Sequence, residues 1–565
     1  MSDLPPPSAR RHDLDALRSF AMLLGIGLHA ALAYIGFGWI VNDGQTSTGL
    51  RWMLNAVHGF RMPLFFLLSG FFTAMLWKKR GIGGLLKHRF QRIALPLILA
   101  CSIITPTMWS VINWASSREA NLIQASAEIE RNPGERAPSP DIWTVASYGD
   151  LEGLAAYGSD SDQLNVPDPM YGVTPLGWTA IRDQPAAAKY LLDAGADPNA
   201  RYRDQNTPLH TACFFGRAKL AGYLLEAGAD VTIQSGVGER PADSMAHNQQ
   251  ITESIASMLQ LPLDFESVKV GRDRIREMIA DQETAAANPV EASQPFLSMI
   301  QRLQDWPLFH HLWFLWFLCW LIAGFAAVTS VLEFLPKIRL PAMLFSVPLC
   351  FVWLVPLTML TQSQMHSGGT VPGFGPDTSI GLIPVPHVLL HYAIFFGFGA
   401  MIFAHHGADK KLGTHWFVTL PLAFVVLPFG LIFAYDTQRS TELIANETLR
   451  LFVMHLMQVL YAWLMTFGLL GLFETVLNKE RYWVRYLSDS SYWLYLVHLP
   501  LIIAGQALLL SVDLPAIAKF ALLAGIGTTI LLATYALFVR YTPIGTLLNG
   551  KRARIQRAGS EPLRT

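Results

Sequence analysis

Apolar residues along this chain gather into runs of about twenty, separated by short polar stretches rich in turn formers. A helical run of that length covers a hydrocarbon core of roughly 30 Å at about 1.5 Å per residue. Ten such runs stand out, near 17–40, 57–77, 93–114, 309–332, 341–361, 386–405, 415–435, 451–473, 491–511 and 515–539. Each predicts a transmembrane helix, because a lone segment in lipid must satisfy its own backbone hydrogen bonds. Internal prolines such as Pro63, Pro348 and Pro500 fit that reading, since membrane helices tolerate proline better than soluble ones do. The first run is too long for a cleaved signal and lacks a small-residue cleavage site, so it reads as a span.

Between the third and fourth runs the pattern changes, over residues of about 116–305. Thr174-Pro175-Leu176 recurs as Thr207-Pro208-Leu209-His210, and the segment Tyr190 to Asp197 recurs as Tyr223 to Asp230, both 33 residues on. That period, the TPLH-type start and the Gly-Ala-Asp exit are the ankyrin signature, with Gly195 and Gly228 suited to left-handed caps. Weaker copies begin at Asp141 and Arg240, so four repeats with atypical ends are expected. His210 reads as the turn-holding histidine of the motif. A charged helix near 266–281 is expected to lead back to the membrane. The domains expected are therefore membrane residues 1–115 (spans one to three), an inserted soluble domain at 116–305 with ankyrin repeats over about 141–260, membrane residues 306–545 (spans four to ten) and a basic tail at 546–565. The fold class is all-α: a polytopic membrane protein of about ten transmembrane helices with an inserted ankyrin-repeat domain.

Charge adds orientation. Counted over the short loops, one side of the expected membrane collects Arg10, Arg11, Lys78, Lys79, Arg80, Lys87, Arg89, Arg92, Lys337, Arg339, Lys410, Lys411, Lys479, Arg481, Arg485 and the tail; the other holds only Arg51, Arg439, Arg450 and Lys519. The positive-inside rule then predicts a multi-pass cell (inner) membrane protein with both termini cytoplasmic and the ankyrin insert outside the cytoplasm. Formal net charge is zero, which gives no electrostatic footprint for nucleic acid. The four cysteines, Cys101, Cys213, Cys319 and Cys350, lack CxxC spacing and read as small buried hydrophobes.

Ionisable residues inside spans are costly, and so they are candidates for function. In span one, Arg18 and His29 are eleven residues apart, within about 20° of three full turns, so they share a face. Arg18 falls at the cytoplasmic mouth, where a guanidinium suits phosphates, and His29 about 16 Å deeper, where an imidazole suits proton transfer. Arg89 and Arg92 precede span three on the cytoplasmic side and suit either phosphates or anchoring. In span two, His58 and Arg61 lie one turn apart near the outer surface, and Ser69 shares a face with His58. Span four opens on His310-His311-Leu312-Trp313, an aromatic-belt sequence that also offers His311 and Trp313 to an acceptor. In span nine Ser491, Tyr495 and His498 form one polar stripe. Two readings of His498 stand: it joins His29, or it bonds a Ser or Tyr of a neighbouring helix. The histidines sit on separate helices without carboxylates at ligand spacing, so no metal site is expected.

Taken together these residues resemble the acyltransferase-3 family of integral membrane acyltransferases. The resemblance rests on Leu14-Asp15-Ala16-Leu17-Arg18 with Leu28-His29, on Phe60-Arg61-Met62-Pro63 through Ser69-Gly70, on the arginine-rich entry to span three, on His311-Leu312-Trp313-Phe314-Leu315 and on Tyr495-Leu496-Val497-His498. It covers all ten spans, and its wording is most similar to that of the periplasmic glucan succinyltransferases. It implies an essential histidine at His29, an arginine at Arg18, an acyl-CoA co-substrate entering from the cytoplasm and a glycan acceptor on the far side, with no bound cofactor. The ankyrin insert departs from the family pattern, which has a short loop there. The resulting expectation is an O-acyltransferase moving an acyl group, with succinyl the first candidate, from acyl-CoA to a hydroxyl of an extracytoplasmic glycan. His29 is its catalytic residue; Arg18, Arg89 and Arg92 hold the acyl donor; His58, Arg61, Ser69, His311, Trp313 and His498 face the acceptor or acyl group. Its partners are acyl-CoA, the glycan, membrane lipid and a protein bound by the ankyrin repeats. The other class in play is a transporter or receptor whose ankyrin domain binds a partner.

Overall fold

A computed structural model describes residues 11–35, 39–130, 141–157, 164–168, 172–202, 205–236, 238–247, 249–259, 261, 263–286, 303–304, 308–334, 341–365, 374–406 and 413–550. It is an all-helical membrane protein with an inserted ankyrin stack, and no strand occurs among the described residues. Eight helical stretches there are long and apolar enough to cross a membrane. One of them, Thr48–Arg118, carries both expected spans two and three. Its first part is α2 (Thr48–Arg89), after α1 (His12–Ala31); the chain breaks inside α2 at Gly81, whose φ of 65° favours glycine. A π-helical turn, Phe90–Ala94, then leads into α3 (Leu95–Glu130), which runs well past the end expected for span three.

Span five is less regular than expected: over 341–361 the continuous helix is replaced by a 3-10 turn, Ala342–Phe345, and a helix of only 12 residues, Phe351–Gln362, about 18 Å long. Proline is the physical reason. Pro348 has no N–H to donate and disfavours helical geometry at the residue before it, so the helix begins only after it.

The ankyrin insert is built from helix pairs α4 (Ile142–Tyr148) and α5 (Leu151–Ala156), α6 (Pro175–Arg182) and α7 (Pro185–Asp193), α8 (Pro208–Phe215) and α9 (Ala218–Glu226). Gly195 and Gly228 have positive φ, 98° and 87°, as their left-handed cap role requires. His210 holds the third repeat's turn: its Nδ1 accepts from the Thr207 N–H at 3.2 Å, and its Nε2 bonds the Glu239 carbonyl at 2.9 Å. The fourth copy keeps only a 3-10 turn, Asp243–Ala246, in place of a first helix, and α10 (Gln249–Met258) follows it. The charged helix expected near 266–281 is α11 (Phe265–Ala286). It stacks on α8 and α9, continuing the row of second helices, and buries Ile275 and Ile279 in the insert's core. Arg272 locks it there, donating to the carbonyls of Phe214 and His247 and to Thr252 Oγ1 while only 3% exposed. Arg272→Ala leaves those acceptors unmet and should destabilise the insert by about 3 kcal/mol, read as faster limited proteolysis between residues 141 and 286 of the full-length protein.

The remaining membrane helices are α12 (Trp313–Leu332), α13 (the short Phe351–Gln362), α14 (Pro386–His406), α15 (Trp416–Tyr435), α17 (Glu447–Val476) and α18 (Tyr482–Leu509), with α16 (Thr437–Leu443) a short helix between α15 and α17. They are followed by α19 (Ala516–Thr534) and, at the end, α20 (Pro543–Asn549). What positions the site is the packing of α1 between α18 and α2. Small residues allow such contacts between membrane helices, where lipid supplies no hydrophobic drive for association.

Candidate active site

The parallel packing of α1 and α18 places one polar contact at each end of their interface. At one end Arg18 Nη2 donates to Ser488 Oγ at 2.7 Å, and it also lies 3.5 Å from Asp15. Eleven residues along α1 and ten along α18, the His29 Nδ1 atom is 2.8 Å from His498 Nε2. Of the two readings of His498, the geometry supports the first.

The proton positions in this pair follow from the backbone. His498 Nδ1 faces two carbonyls of its own helix, Tyr495 O at 2.9 Å and Leu494 O at 3.1 Å. Carbonyls only accept, so Nδ1 carries the hydrogen and the neutral ring keeps its lone pair on Nε2. That lone pair can only accept from His29, so the His29 hydrogen is on Nδ1. His29 Nε2 is left as a lone pair, which is what a general base requires.

A third imidazole joins them. His311 lies in a 3-10 turn, His310–Leu312, ahead of α12. Its ring centroid is 5.0 Å from that of His498, edge to face. Its Nε2 donates to Leu496 O at 3.1 Å. That carbonyl is free because Pro500, four residues on, has no N–H with which to close the helical bond. The Tyr495 hydroxyl in turn donates to His311 O. With Nε2 donating, His311 keeps its lone pair on Nδ1, which is buried and unpartnered.

Arg61 completes the centre. It comes from α2, and its guanidinium lies against Gly25, one turn before His29 on α1. A Cβ at Gly25 would overlap Arg61 Nη1. His29 lies within electrostatic range of Arg61, His311 and His58, and Arg61 within range of the Tyr392 and Tyr495 phenols. No carboxylate pairs with Arg61 among the described residues, and its Nε is buried without a hydrogen-bond partner. A guanidinium held this way in a membrane interior can stabilise a negative charge that arrives with, or develops on, a substrate. Gly25→Val should push Arg61 aside and cut turnover about tenfold or more at unchanged expression, in a membrane acyl-transfer assay.

Of the other residues singled out from sequence, His58 borders the centre and the rest lie farther from it. His58, one turn before Arg61, packs beside Gly375 of the loop that precedes α14. Ser69 lies eight residues beyond Arg61, about 12 Å along α2, where its carbonyl accepts from Thr73 Oγ1. Arg89 Nη2 donates to that same Thr73 hydroxyl at 3.0 Å, and its Nε is buried and unpartnered. Arg92 Nη1 is occupied by the carbonyls of Thr546 and Leu547, each at 2.8 Å, so part of its guanidinium fastens α20. Trp313 is packed among Phe66, Phe317 and Tyr392, in the apolar core.

Two neighbours of His29 are not apparent from the sequence. Gln506 Nε2 donates to His29 O at 2.9 Å, and Trp39 Nε1 donates to Gln506 Oε1 at 2.9 Å. The Trp39 and His29 rings are inclined by 20°, with centroids 6.2 Å apart. A lone glutamine in the apolar run after His498 is the available signal. Trp39, at the end of a span, is indistinguishable in sequence from an interfacial belt residue.

A hydrogen-bonded imidazole pair between two membrane helices, with a guanidinium beside it and Arg18 toward the other end of α1, is an arrangement suited to proton transfer. The chain belongs to the acyltransferase-3 family: its acyltransferase domain matches residues 11–149 and 284–539, well over half of the chain. The domain it shares with that family is an acyltransferase domain. Ankyrin repeats, three copies, match residues 142–235. Glucans biosynthesis protein C of Escherichia coli (strain K12) is 32% identical over 114 residues, 20% of this chain and 30% of that protein. The protein of the same name from Salmonella paratyphi B is 32% identical over 132 residues, 23% of this chain and 34% of that protein. The chain thus aligns with about a third of the length of these curated relatives.

Proposed function

We propose that the protein transfers an acyl group from acyl-CoA to a hydroxyl of a glycan, across the inner membrane, with both chain termini and the arginine end of the site facing the cytoplasm. The observation that carries this reading is the His29–His498 hydrogen bond, which leaves a lone pair on His29 Nε2. His29 Nε2 takes the proton of the acceptor hydroxyl as its oxygen attacks the thioester carbonyl. The C–O bond forms, the C–S bond breaks, and the departing thiolate recovers the proton from His29. Arg61 faces the negative charge of the tetrahedral intermediate, or the free carboxylate of a dicarboxylic acyl group such as succinyl. His311 Nδ1 is placed to accept from a second acceptor hydroxyl. Arg18 and Arg89 hold the phosphates of coenzyme A, with the remaining donors of Arg92 beside them. The ankyrin stack, outside the cytoplasm, offers a surface to a protein partner.

The resemblance to glucan-modifying relatives supports the glycan, and the unpaired Arg61 supports an anionic acyl group. The test is release of free coenzyme A by the purified protein in lipid nanodiscs, from succinyl-CoA, with and without a glucan oligosaccharide, alongside mass spectrometry of the glucan. Glucan-dependent thiol release and a matching succinyl mass are expected. A protein that gave neither would leave transport or partner recruitment as the better reading.

A further inference from the structure

We propose that Trp39 is the platform on which a sugar ring of the acceptor rests while one of its hydroxyls meets His29. This rests on the glycan-acylation reading above and adds to it the surface that recognises the sugar.

The first observation is the orientation of the indole. A tryptophan of the interfacial belt turns its N–H toward headgroups and its ring toward lipid. Trp39 does the reverse. Its N–H points inward to Gln506, a side chain only 1% exposed. The same Gln506 amide holds the His29 carbonyl, so one side chain fixes the indole and the catalytic histidine relative to each other. The indole N–H is thereby satisfied, and what Trp39 still offers is a flat apolar surface beside the imidazole.

The second observation is that the segment carrying Trp39 is held in place before any substrate arrives. Asp43 N donates to Ala33 O at 3.0 Å and Ser47 N to Tyr34 O at 2.9 Å. The Asp43 carboxylate meets Lys519 Nζ of α19 at 2.6 Å, both side chains under 5% exposed. A buried ion pair adds little net stability against an apolar pair, but a wrong loop position would leave either charge stranded, so it enforces one geometry. Trp39 is nevertheless only half-buried.

The third is position. Trp39 follows the His29 end of α1, and Arg18 marks the other end, so the acceptor side and the donor side are separated along one helix. A pyranose has an apolar face of C–H groups and a rim of hydroxyls. Laid on an indole, it directs rim hydroxyls sideways, here toward His29 Nε2. An aromatic surface supplies contact area at little entropic cost, and a fixed one avoids the ordering penalty on binding.

The test separates acceptor binding from catalysis, using the full-length protein in nanodiscs with succinyl-CoA and a β-glucan oligosaccharide. Trp39→Ala should raise the KM for the oligosaccharide about tenfold, with the KM for succinyl-CoA unchanged. Trp39→Phe, which keeps a flat ring, should recover most of that loss. Gln506→Leu, which keeps the indole but releases it, should also raise the acceptor KM, and it carries the test if Trp39→Ala does not accumulate. An unchanged acceptor KM in these variants, or a fall in kcat alone, would overturn the proposal and leave Trp39 as a brace for His29. A wild-type protein that acylated other alcohols but no glycan would overturn it as well. Failure of the wild type to release coenzyme A from any mixture would remove the acyl-transfer reading itself, a result visible before any variant is made.

Discussion

Replacing His29 with alanine is expected to lower acyl transfer by about 10³-fold, within the range of general acid–base catalysis, with the protein still accumulating in the membrane. The loss falls on kcat rather than on donor KM, because the residues assigned to the donor lie at the Arg18 end of α1. His29 is half-buried, and removing its ring strips the hydrogen-bond donor from His498 without breaking the α1–α18 contact at Arg18 and Ser488. The measurement is succinyl transfer to glucan in membranes of matched protein content. Full transfer by His29→Ala would sink the assignment of this histidine as the base. Acyl-CoA binding, followed separately by thermal shift with a non-hydrolysable thioether analogue, should survive, because a ligand that binds the folded state stabilises it whether or not turnover follows.

The two ends of the α1–α18 interface are legible in the sequence to different degrees. Spacing alone puts Arg18 and His29 on one face, because a helix returns to the same direction after eleven residues. It does not say which helix faces them. Pairing is a tertiary fact, and the choice between His498 bonding to His29 and bonding to a hydroxyl needs the packing of α1 on α18. His311 shows a middle case. Its ring is oriented by a carbonyl that Pro500 leaves free, so the cause is written in the sequence, four residues after Leu496, but the recipient is 185 residues away.

Where sequence and structure part, the causes are equally local. Residues 341–361 carry enough apolar character for a span, and hydropathy does not register that Pro348 delays the helix until only 12 residues remain. Trp313 and Arg92 are of residue types that bind ligands as readily as they pack or anchor. Here an aromatic core takes the first, and the carbonyls of α20 take two bonds from the second. Gln506 is inconspicuous because a single uncharged amide in an apolar run draws less notice than a histidine. The cost of burying an unpaired amide in lipid argues that such a residue always has a partner.

His498 offers the sharper test of mechanism, because its proposed role is to hold a proton in place rather than to move one. In His498→Ala, the His29 Nδ1–H loses its acceptor, and the ring is free to carry its hydrogen on Nε2 instead, where it blocks the base. A fall in kcat of about 10²-fold is expected, smaller than the roughly 10⁴-fold cost of a wrong tautomer in a serine protease triad because a neutral partner stabilises the imidazolium less than a carboxylate does. His498→Gln should recover much of this, since a glutamine carbonyl oxygen can occupy the place of Nε2 and accept the same hydrogen bond. His498→Lys, which only donates, should not. Equal activity in the alanine and glutamine variants would show that His498 acts by filling space, and the tautomer argument would fall with it. Glutamine rescue would mean that a hydrogen-bond acceptor at this one position, itself set by the Leu494 and Tyr495 carbonyls of α18, makes His29 a base.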